Sequence, residues 1–471
     1  MSENGRTTRR QMLSRTGALG VSIAFAGSLT DLFAGTAAAQ NLGHTGYGPL
    51  VPDPKGVLDL PEGFRYRVLS REGDQLRSGE GRVPSNHDGM SAFAGRDNRV
   101  HLVRNHENRN NAAIPVPTTE GLTYDPAGKG GCTALTLDSR NKVLSERVAI
   151  AGTAVNCAGG PTPWGTWLTC EETEDRAGTN GYTKDHGFIF EVDPADPPPR
   201  SASLARGDPH RSGAVPLTAM GRFQHEAIAV DPKRGIVYET EDAFEKPFGL
   251  FYRFLPDKPS GGLGSLRAGG RLQAMRVPGV PDLSPVQETG ASFDGIEWVD
   301  VPDPLAAETP IRFQDFGPKG ITHAQKLEGC YWGGSCVYFV SSFARGADGS
   351  AADHFGQIWR YDPAKRRLTL VVVFGPDTDV QLPGESPDNI CLAPSGGLMV
   401  CEDGNGAQHV YGVTRRGEVY TMARGRQNIG TPQEPEWGEF AGVTFSPDGG
   451  TMYVNCYTPG TTFAVTGPWR K

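Results

Sequence analysis

Phe445-Ser446-Pro447-Asp448-Gly449-Gly450-Thr451-Met452-Tyr453-Val454 joins an aromatic residue to a β-branched and aromatic run through a Pro-Asp-Gly-Gly turn. That pattern predicts two antiparallel strands and a tight connection. The theme recurs upstream in Phe188-Ile189-Phe190-Glu191-Val192-Asp193-Pro194 and in Ile228-Ala229-Val230-Asp231-Pro232 leading to Gly235-Ile236-Val237-Tyr238. It returns in Ile358-Trp359-Arg360-Tyr361-Asp362-Pro363 and in Leu392-Ala393-Pro394-Ser395-Gly396-Gly397-Leu398-Met399-Val400. No helical period is sustained. Hairpins repeated over so much chain leave a sandwich, a barrel or a propeller, and the length favours radial repetition of short four-stranded sheets. The expectation is an all-β protein, a β-propeller of about six blades with loop insertions and minor helices. The Pro-rich stretches 194–216 and 255–310 are expected to be its long loops.

Composition bounds the rest. The chain has 471 residues, with 63 Gly and 37 Pro, which suits many turns and few helices. A formal charge of -8 argues against a nucleic-acid partner and suits carboxylates that gather cations. Thr8-Arg9-Arg10-Gln11-Met12-Leu13-Ser14, the short Gly-broken apolar stretch after it and Ala37-Ala38-Ala39 form a twin-arginine export signal. Residues 1–39 are therefore expected to be removed, leaving 40–471 as one domain in the periplasm or outside the cell. That route carries folded proteins, which suits a domain loaded with metal beforehand. No other stretch is long and apolar enough to span a membrane. Among the 8 cysteines, Cys330 and Cys336 enclose a short Gly-rich loop where a disulfide is plausible.

Several second strands end in acidic or amide residues at the same point of the repeat. These are Leu168-Thr169-Cys170-Glu171-Glu172, Tyr238-Glu239-Thr240-Glu241-Asp242 and Val400-Cys401-Glu402-Asp403, and more loosely Val103-Arg104-Asn105-His106-Glu107 and Val454-Asn455-Cys456. Equivalent strand ends of a propeller converge on one region, and converging carboxylates repel unless hard cations join them. A metal site at the channel is expected, although each acid alone could serve a turn.

The densest segment is Asn156-Cys157-Ala158-Gly159-Gly160-Pro161-Thr162-Pro163-Trp164-Gly165-Thr166-Trp167-Leu168-Thr169-Cys170-Glu171-Glu172. It resembles the signature of the PhoX family of alkaline phosphatases. Further likeness lies in Phe223-Gln224-His225-Glu226, Leu327-Glu328-Gly329-Cys330-Tyr331-Trp332, Ser386-Pro387-Asp388-Asn389-Ile390 and Glu439-Phe440-Ala441-Gly442-Val443, and in the terminal Gly467-Pro468-Trp469. The resemblance spans nearly the whole mature chain. It implies a propeller that hydrolyses phosphate monoesters with ferric iron (Fe3+) and calcium (Ca2+), a cysteine thiolate being among the iron ligands.

On that resemblance Cys157 is the candidate thiolate, against a packed or bridged cysteine as the plain alternative; Cys170 is expected to be packed. Glu172, Glu226, Glu328 and Asp388 carry over as metal ligands. Glu171 is a weaker candidate, because adjacent strand residues face opposite ways. Asn86 with Asp88, and Asn105 with Glu107, match early motifs and are calcium candidates, while Glu402 and Glu439 stand in similar positions. Lys326 occupies the place where the family is expected to put a phosphate-contacting arginine, a departure that trades a planar fork for a point charge. His225 is a candidate proton donor or supporting partner, a satisfied structural histidine being the alternative. The partners expected are a small phosphate ester and the twin-arginine machinery, with a monomeric protein. Two other readings stay open on these residues: a calcium-dependent lactonase or esterase propeller, and a propeller that binds metal without catalysis.

Overall fold

In the computed structural model the described residues are 46–470, apart from 80, 196–212, 260, 343–355, 375–385 and 405. The expected export signal and most of the loop foreseen at 194–216 lie outside them. Among the described residues twenty-eight strands follow one another, and the helical segments are three 3-10 turns, Thr218–Met220, Ser265–Ala268 and Ile311–Phe313.

Three strands lead in: β1 (Leu50–Val51), β2 (Leu58–Pro61) and β3 (Arg65–Arg71). Blade 1 is β4 (His87–Ala94), β5 (Val100–His106), β6 (Gly130–Leu137) and β7 (Val143–Thr153). Blade 2 is β8 (Asn156–Pro161), β9 (Trp167–Glu171) and β10 (Ile189–Val192). Blade 3 is β11 (His225–Val230), β12 (Val237–Glu241), β13 (Gly249–Pro256) and β14 (Gly270–Arg276). Next come β15 (Ser292–Asp294), β16 (Glu297–Asp300) and β17 (His323–Ala324); β16 and β17 add to blade 3, whereas β15 crosses to blade 4. The stretch 255–310, expected to be a loop, thus carries strands. Blade 4 continues with β18 (Leu327–Trp332), β19 (Val337–Ser342), β20 (Gly356–Asp362) and β21 (Arg367–Val373). Blade 5 is β22 (Pro387–Leu392), β23 (Leu398–Glu402), β24 (His409–Val413) and β25 (Val419–Gly425), extended by β2 and β1. Blade 6 is β26 (Phe440–Phe445), β27 (Thr451–Cys456) and β28 (Thr461–Thr466), completed by β3.

The result is the expected six-bladed, all-β propeller. Each innermost strand, β4, β8, β11, β18, β22 and β26, touches its counterpart in the next blade, so the ring closes on itself. Closure joins the two ends of the chain, because β3 pairs antiparallel with β28 from Thr461↔Arg71 to Thr466↔Arg65.

Strands such as Thr451–Cys456 are buried throughout, since a blade packs neighbours on both faces. One apolar cluster fills each gap between blades: Phe251 and Phe339 meet between blades 3 and 4 at 4.2 Å between ring centroids. Burying such aromatic pairs removes apolar surface from water at roughly 25 cal/mol per Å². Cys330 belongs to that cluster and Cys336 to the one between blades 4 and 5, so the two point to opposite faces of blade 4. Both are free thiols, which corrects the plausible bridge. Cys170 is packed, as expected, between blades 2 and 3.

Candidate metal centre

The six innermost strands begin in the same way. In each blade a backbone N–H at the end of the second strand donates to the carbonyl just before the first. The bonds are Glu107 to Asn86 (3.2 Å), Glu172 to Val155 (2.8 Å), Asp242 to Gln224 (3.2 Å), Ser342 to Lys326 (2.7 Å), Asp403 to Ser386 (3.0 Å) and Tyr457 to Glu439 (3.0 Å). Just inside this bond every innermost strand slips register, at His87/Met90, Asn156/Gly159, His225/Ile228, Leu327/Cys330, Pro387/Ile390 and Ala441/Thr444. Such bulges re-aim a side chain beside a site. Asn86, Val155, Lys326 and Ser386 take the left-handed conformation there, with φ of 53°, 51°, 43° and 51°.

Two residues beyond the kink, in five of the six blades, stands a candidate ligand: Asp88, Cys157, Glu226, Glu328 and Asp388. Their ligand atoms, with those of Glu107 and Glu172, form three overlapping groups, Asp88–Glu107–Cys157, Cys157–Glu172–Glu226 and Glu226–Glu328–Asp388, each within 4.8 Å. Blade 6 has Ala441 at the equivalent place and offers Glu439 from the kink itself. Blade 4 has Ser342 where blades 1, 2, 3 and 5 carry an acid, and Lys326 at the kink.

Close approach of the inner strands requires small residues next to the ligands. A Cβ on Gly329 would lie 2.5 Å from the Asp388 carbonyl oxygen, so the strands of blades 4 and 5 approach closely only because no side chain stands there.

The electrostatics follow from this crowding. Burial first, then Glu107, Asp388, Glu226 and Glu439, push the Asp88 carboxyl up. Burial and Asp242, Glu107 and Glu226 do the same to Glu172. Asp388 rises to about 7, chiefly through burial, with Lys326 opposing. The Cys157 thiol is held well up by burial and by Asp88, Glu226, Glu172 and Glu107. Glu439 rises with burial, Asp403 and Asp388. Burial alone would lower the Lys326 ammonium, yet Asp242, Asp403, Asp388 and Glu172 outweigh it and keep it charged. Lys326 Nζ rests on Glu328 Oε1. Neither oxygen of the fully buried Glu226 meets an N–H or O–H donor, and Asp88 Oδ1 is equally orphaned. Buried carboxylate oxygens without donors suit a cation.

Four anticipated residues are not brought into this cluster. Glu171, one residue out of phase with Glu172, accepts from the N–H groups of Ala154, Gly187 and Phe188 and meets His186 Nδ1 at 2.6 Å. Glu402, out of phase with Asp403, accepts from the His409 N–H and faces its Nδ1 at 2.7 Å. Asn105 spends its amide nitrogen on the carbonyls of Cys157 and Ala158, and its oxygen accepts from Trp167, Thr169 and Cys132. It positions the thiol's strand instead of offering a free oxygen. His225 points outward, with Nε2 3.2 Å from the Gly221 carbonyl, Nδ1 3.5 Å from Glu239 and its ring against Phe223. Conversely Asp242 and Asp403, noted only within the set of strand-end acids, and Tyr457 and Arg109, not noted at all, belong to the site's surroundings. Arg109 Nη2 pairs with Glu107 Oε1 at 3.2 Å while its side chain stays 63% exposed, so the guanidinium stands at the mouth of the centre. Strand phase counted from Glu172 could have found Asp242 and Asp403; nothing local marks Tyr457 or Arg109.

A family model, alkaline phosphatase PhoX, matches residues 45–460. The chain belongs to the PhoX family of alkaline phosphatases. It is therefore a phosphoric monoester hydrolase of a metal-dependent, exported family. Among solved structures, Pseudomonas fluorescens PhoX in complex with vanadate, a transition state analogue, is similar with a TM-score of 0.63 and 19% identity, covering 89% of this chain and 97% of that one. The gluconolactonase XC5397 from Xanthomonas campestris is similar with a TM-score of 0.41 and 11% identity, over 90% of this chain and 99% of that one. No curated protein sequence matches the chain. No described helix of this PhoX-family protein is long and apolar enough to cross a membrane.

Proposed function

We propose that this PhoX-family phosphatase is exported by the twin-arginine route, loses residues 1–39, and works as a single domain over 40–471 that holds iron and calcium at the propeller axis. The orphaned, fully buried carboxylate of Glu226, shared between the Cys157–Glu172 and Glu328–Asp388 groups, is the observation that carries the metal reading. The donor set divides as the two ions require: thiolate with carboxylate suits ferric iron, and carboxylate oxygens suit calcium. Cys157, Glu172 and Glu226 would hold iron. Asp88, Glu107, Glu328 and Asp388 would complete the oxygen ligands, with Asp242, Asp403 and Glu439 around them. Bound there, the cations supply Lewis-acid polarisation of the phosphoryl oxygens and lower the pKa of water.

The chain's own groups do the rest. Lys326 and Arg109 stand beside the acids as the cationic groups that bind the non-bridging oxygens of the ester phosphate. Glu328 restrains the Lys326 ammonium, so its position is set before substrate arrives. Asn105 fixes the backbone that presents the thiol. His225, buried away from the cluster, serves blade packing.

The test is elemental analysis of the purified exported protein, with turnover of a chromogenic phosphate monoester measured with and without chelator. Iron and calcium together with chelator-sensitive turnover, both lost in Cys157→Ala, support the proposal. Calcium without iron, or iron retained in Cys157→Ala, would overturn the iron–thiolate assignment.

A further inference from the structure

At the end of the ring opposite the acids, blades 3 and 4 part to leave a cleft of about 530 Å³. Its residues come from the β11–β12 and β20–β21 turns and the strands beside them, whereas the metal centre uses the other ends of β11 and β12. The floor is aromatic. Trp298 Nε1 donates to the Tyr361 hydroxyl at 3.1 Å, and Tyr238 lies 5.9 Å from Tyr361 between ring centroids.

The rim is cationic. Arg253 stacks over Trp298 at 4.8 Å, and its Nε donates to Gln273 Oε1 at 2.8 Å. Its terminal nitrogens bond no acceptor among the described residues. Arg366 donates to the neutral carbonyls of Ile296 (3.0 Å) and Gly295 (3.4 Å). Arg234 is paired with Asp231 at 3.1 Å, and Glu297, the acid in the lining, is engaged by Arg276 at 2.8 Å. Two guanidinium groups therefore face one cleft, neither of them in an ion pair among the described residues, in a chain whose formal charge is -8.

We propose that this cleft binds an organic anion in which a flat ring carries a phosphate, the chemistry of a nucleoside monophosphate. The ring lies against Trp298, the partly exposed member of the floor, with the buried Tyr361 holding the indole in place, and the phosphate sits between Arg253 and Arg366. Guanidinium groups meet phosphate through paired N–H donors, aromatic floors take planar rings, and the volume falls within the range of small-molecule sites. The ligand shares its phosphate with substrates of the axial centre, so the experiment must separate the two sites.

An adenosine phosphonate, whose C–P bond resists hydrolysis, is titrated into the full-length enzyme while tryptophan fluorescence is recorded. A saturable change that weakens at least about tenfold in Arg253→Gln and in Arg366→Gln supports the site, provided both variants keep wild-type turnover of a small aryl phosphate. No saturable change, or one that both variants keep unaltered, overturns it. Equal affinity for adenosine alone overturns the anionic part of the assignment. Trp298→Phe, which keeps an aromatic floor, checks that the signal arises in the cleft, because the change must disappear there.

Discussion

The side-chain amide of Asn105 donates to the carbonyl oxygen of Cys157 at 3.0 Å, so blade 1 holds the strand on which blade 2 presents its thiol. The relation recurs around the ring. Thr240 Oγ1 donates to the Glu328 carbonyl at 2.7 Å and Asn455 Nδ2 to the Asp88 carbonyl at 2.5 Å. Each candidate ligand so anchored is held by the backbone from the preceding blade.

Asn105→Ala is therefore expected to act on the centre without touching it. The change leaves the Trp167 and Thr169 donors and two carbonyls without partners, at a cost of about 3 kcal/mol. Thermal unfolding should show a lower Tm, and elemental analysis a reduced iron content. An unchanged Tm with full iron would sink the anchoring role.

Lys326 stands where an arginine was anticipated, and its ammonium is held by Glu328. Lys326→Ala should lower kcat/KM for a phosphate monoester by about a hundredfold, since one positioned cation facing developing charge is worth that much. Lys326→Arg should retain turnover and lower KM through a paired contact with the phosphate. If Lys326→Ala turns over normally, the phosphate contact belongs elsewhere.

Neighbouring carboxylates in blade 5 should separate cleanly. Glu402→Gln weakens the tie to His409 and is expected to lower Tm by several degrees, with kcat of the folded enzyme nearly intact. Asp403→Asn removes charge beside Lys326 and Glu439, so it should change activity while Tm stays level or rises in chelated protein. Stability and turnover measured on both variants decide the matter; the reverse pattern would contradict the strand phase argued above.

Asp125 offers a pH test away from the centre. Its carboxylate accepts from the N–H groups of Ala127 (2.9 Å), Thr183 (2.7 Å) and Lys184 (3.0 Å) and from the Thr183 hydroxyl (2.7 Å). Burial alone would raise its pKa, but these bonds prevail and hold it at about 2, below the ordinary 3.8. A carboxyl depressed in the fold contributes stability that is complete above about pH 4 and is lost as pH falls through about 2. Asp125→Asn should thus lower Tm at neutral pH and flatten the acid-side decline. Parallel Tm curves for the two proteins between pH 7 and pH 2 would refute this.

Much of this architecture was legible in the residues because hairpin chemistry is local. Asp-Pro and Pro-Asp-Gly turns between β-branched runs mark where strands fold back, and their recurrence implies blades. The acids of the second strands were legible as a set for the same reason. Their phase was less so, because alternation has a period of two and adjacent acids such as Glu402-Asp403 differ only in which face they take. Which face each takes shows only in the fold, where the Asp403 N–H reaches the Ser386 carbonyl while Glu402 turns to His409. His225 illustrates the limit: beside Glu226 in sequence, it is turned into the space between blades, where Phe223 and Glu239 receive it. Arg109 and Tyr457 reach the site from loops that carry no strand signal.

The pairing of Arg65–Arg71 with Thr461–Thr466 has a consequence for assembly. Every candidate ligand of the three groups hangs on an innermost strand or just past the end of its neighbour, and five of the six blades contribute one from the innermost strand. A half-made chain thus owns fragments of the centre but not the centre. Only when the final strand, β28, pairs with β3 do opposite sides of the ring come to face each other. Ring closure is in this sense also the step that assembles the centre, because side chains owned by separate blades become neighbours only in the closed ring.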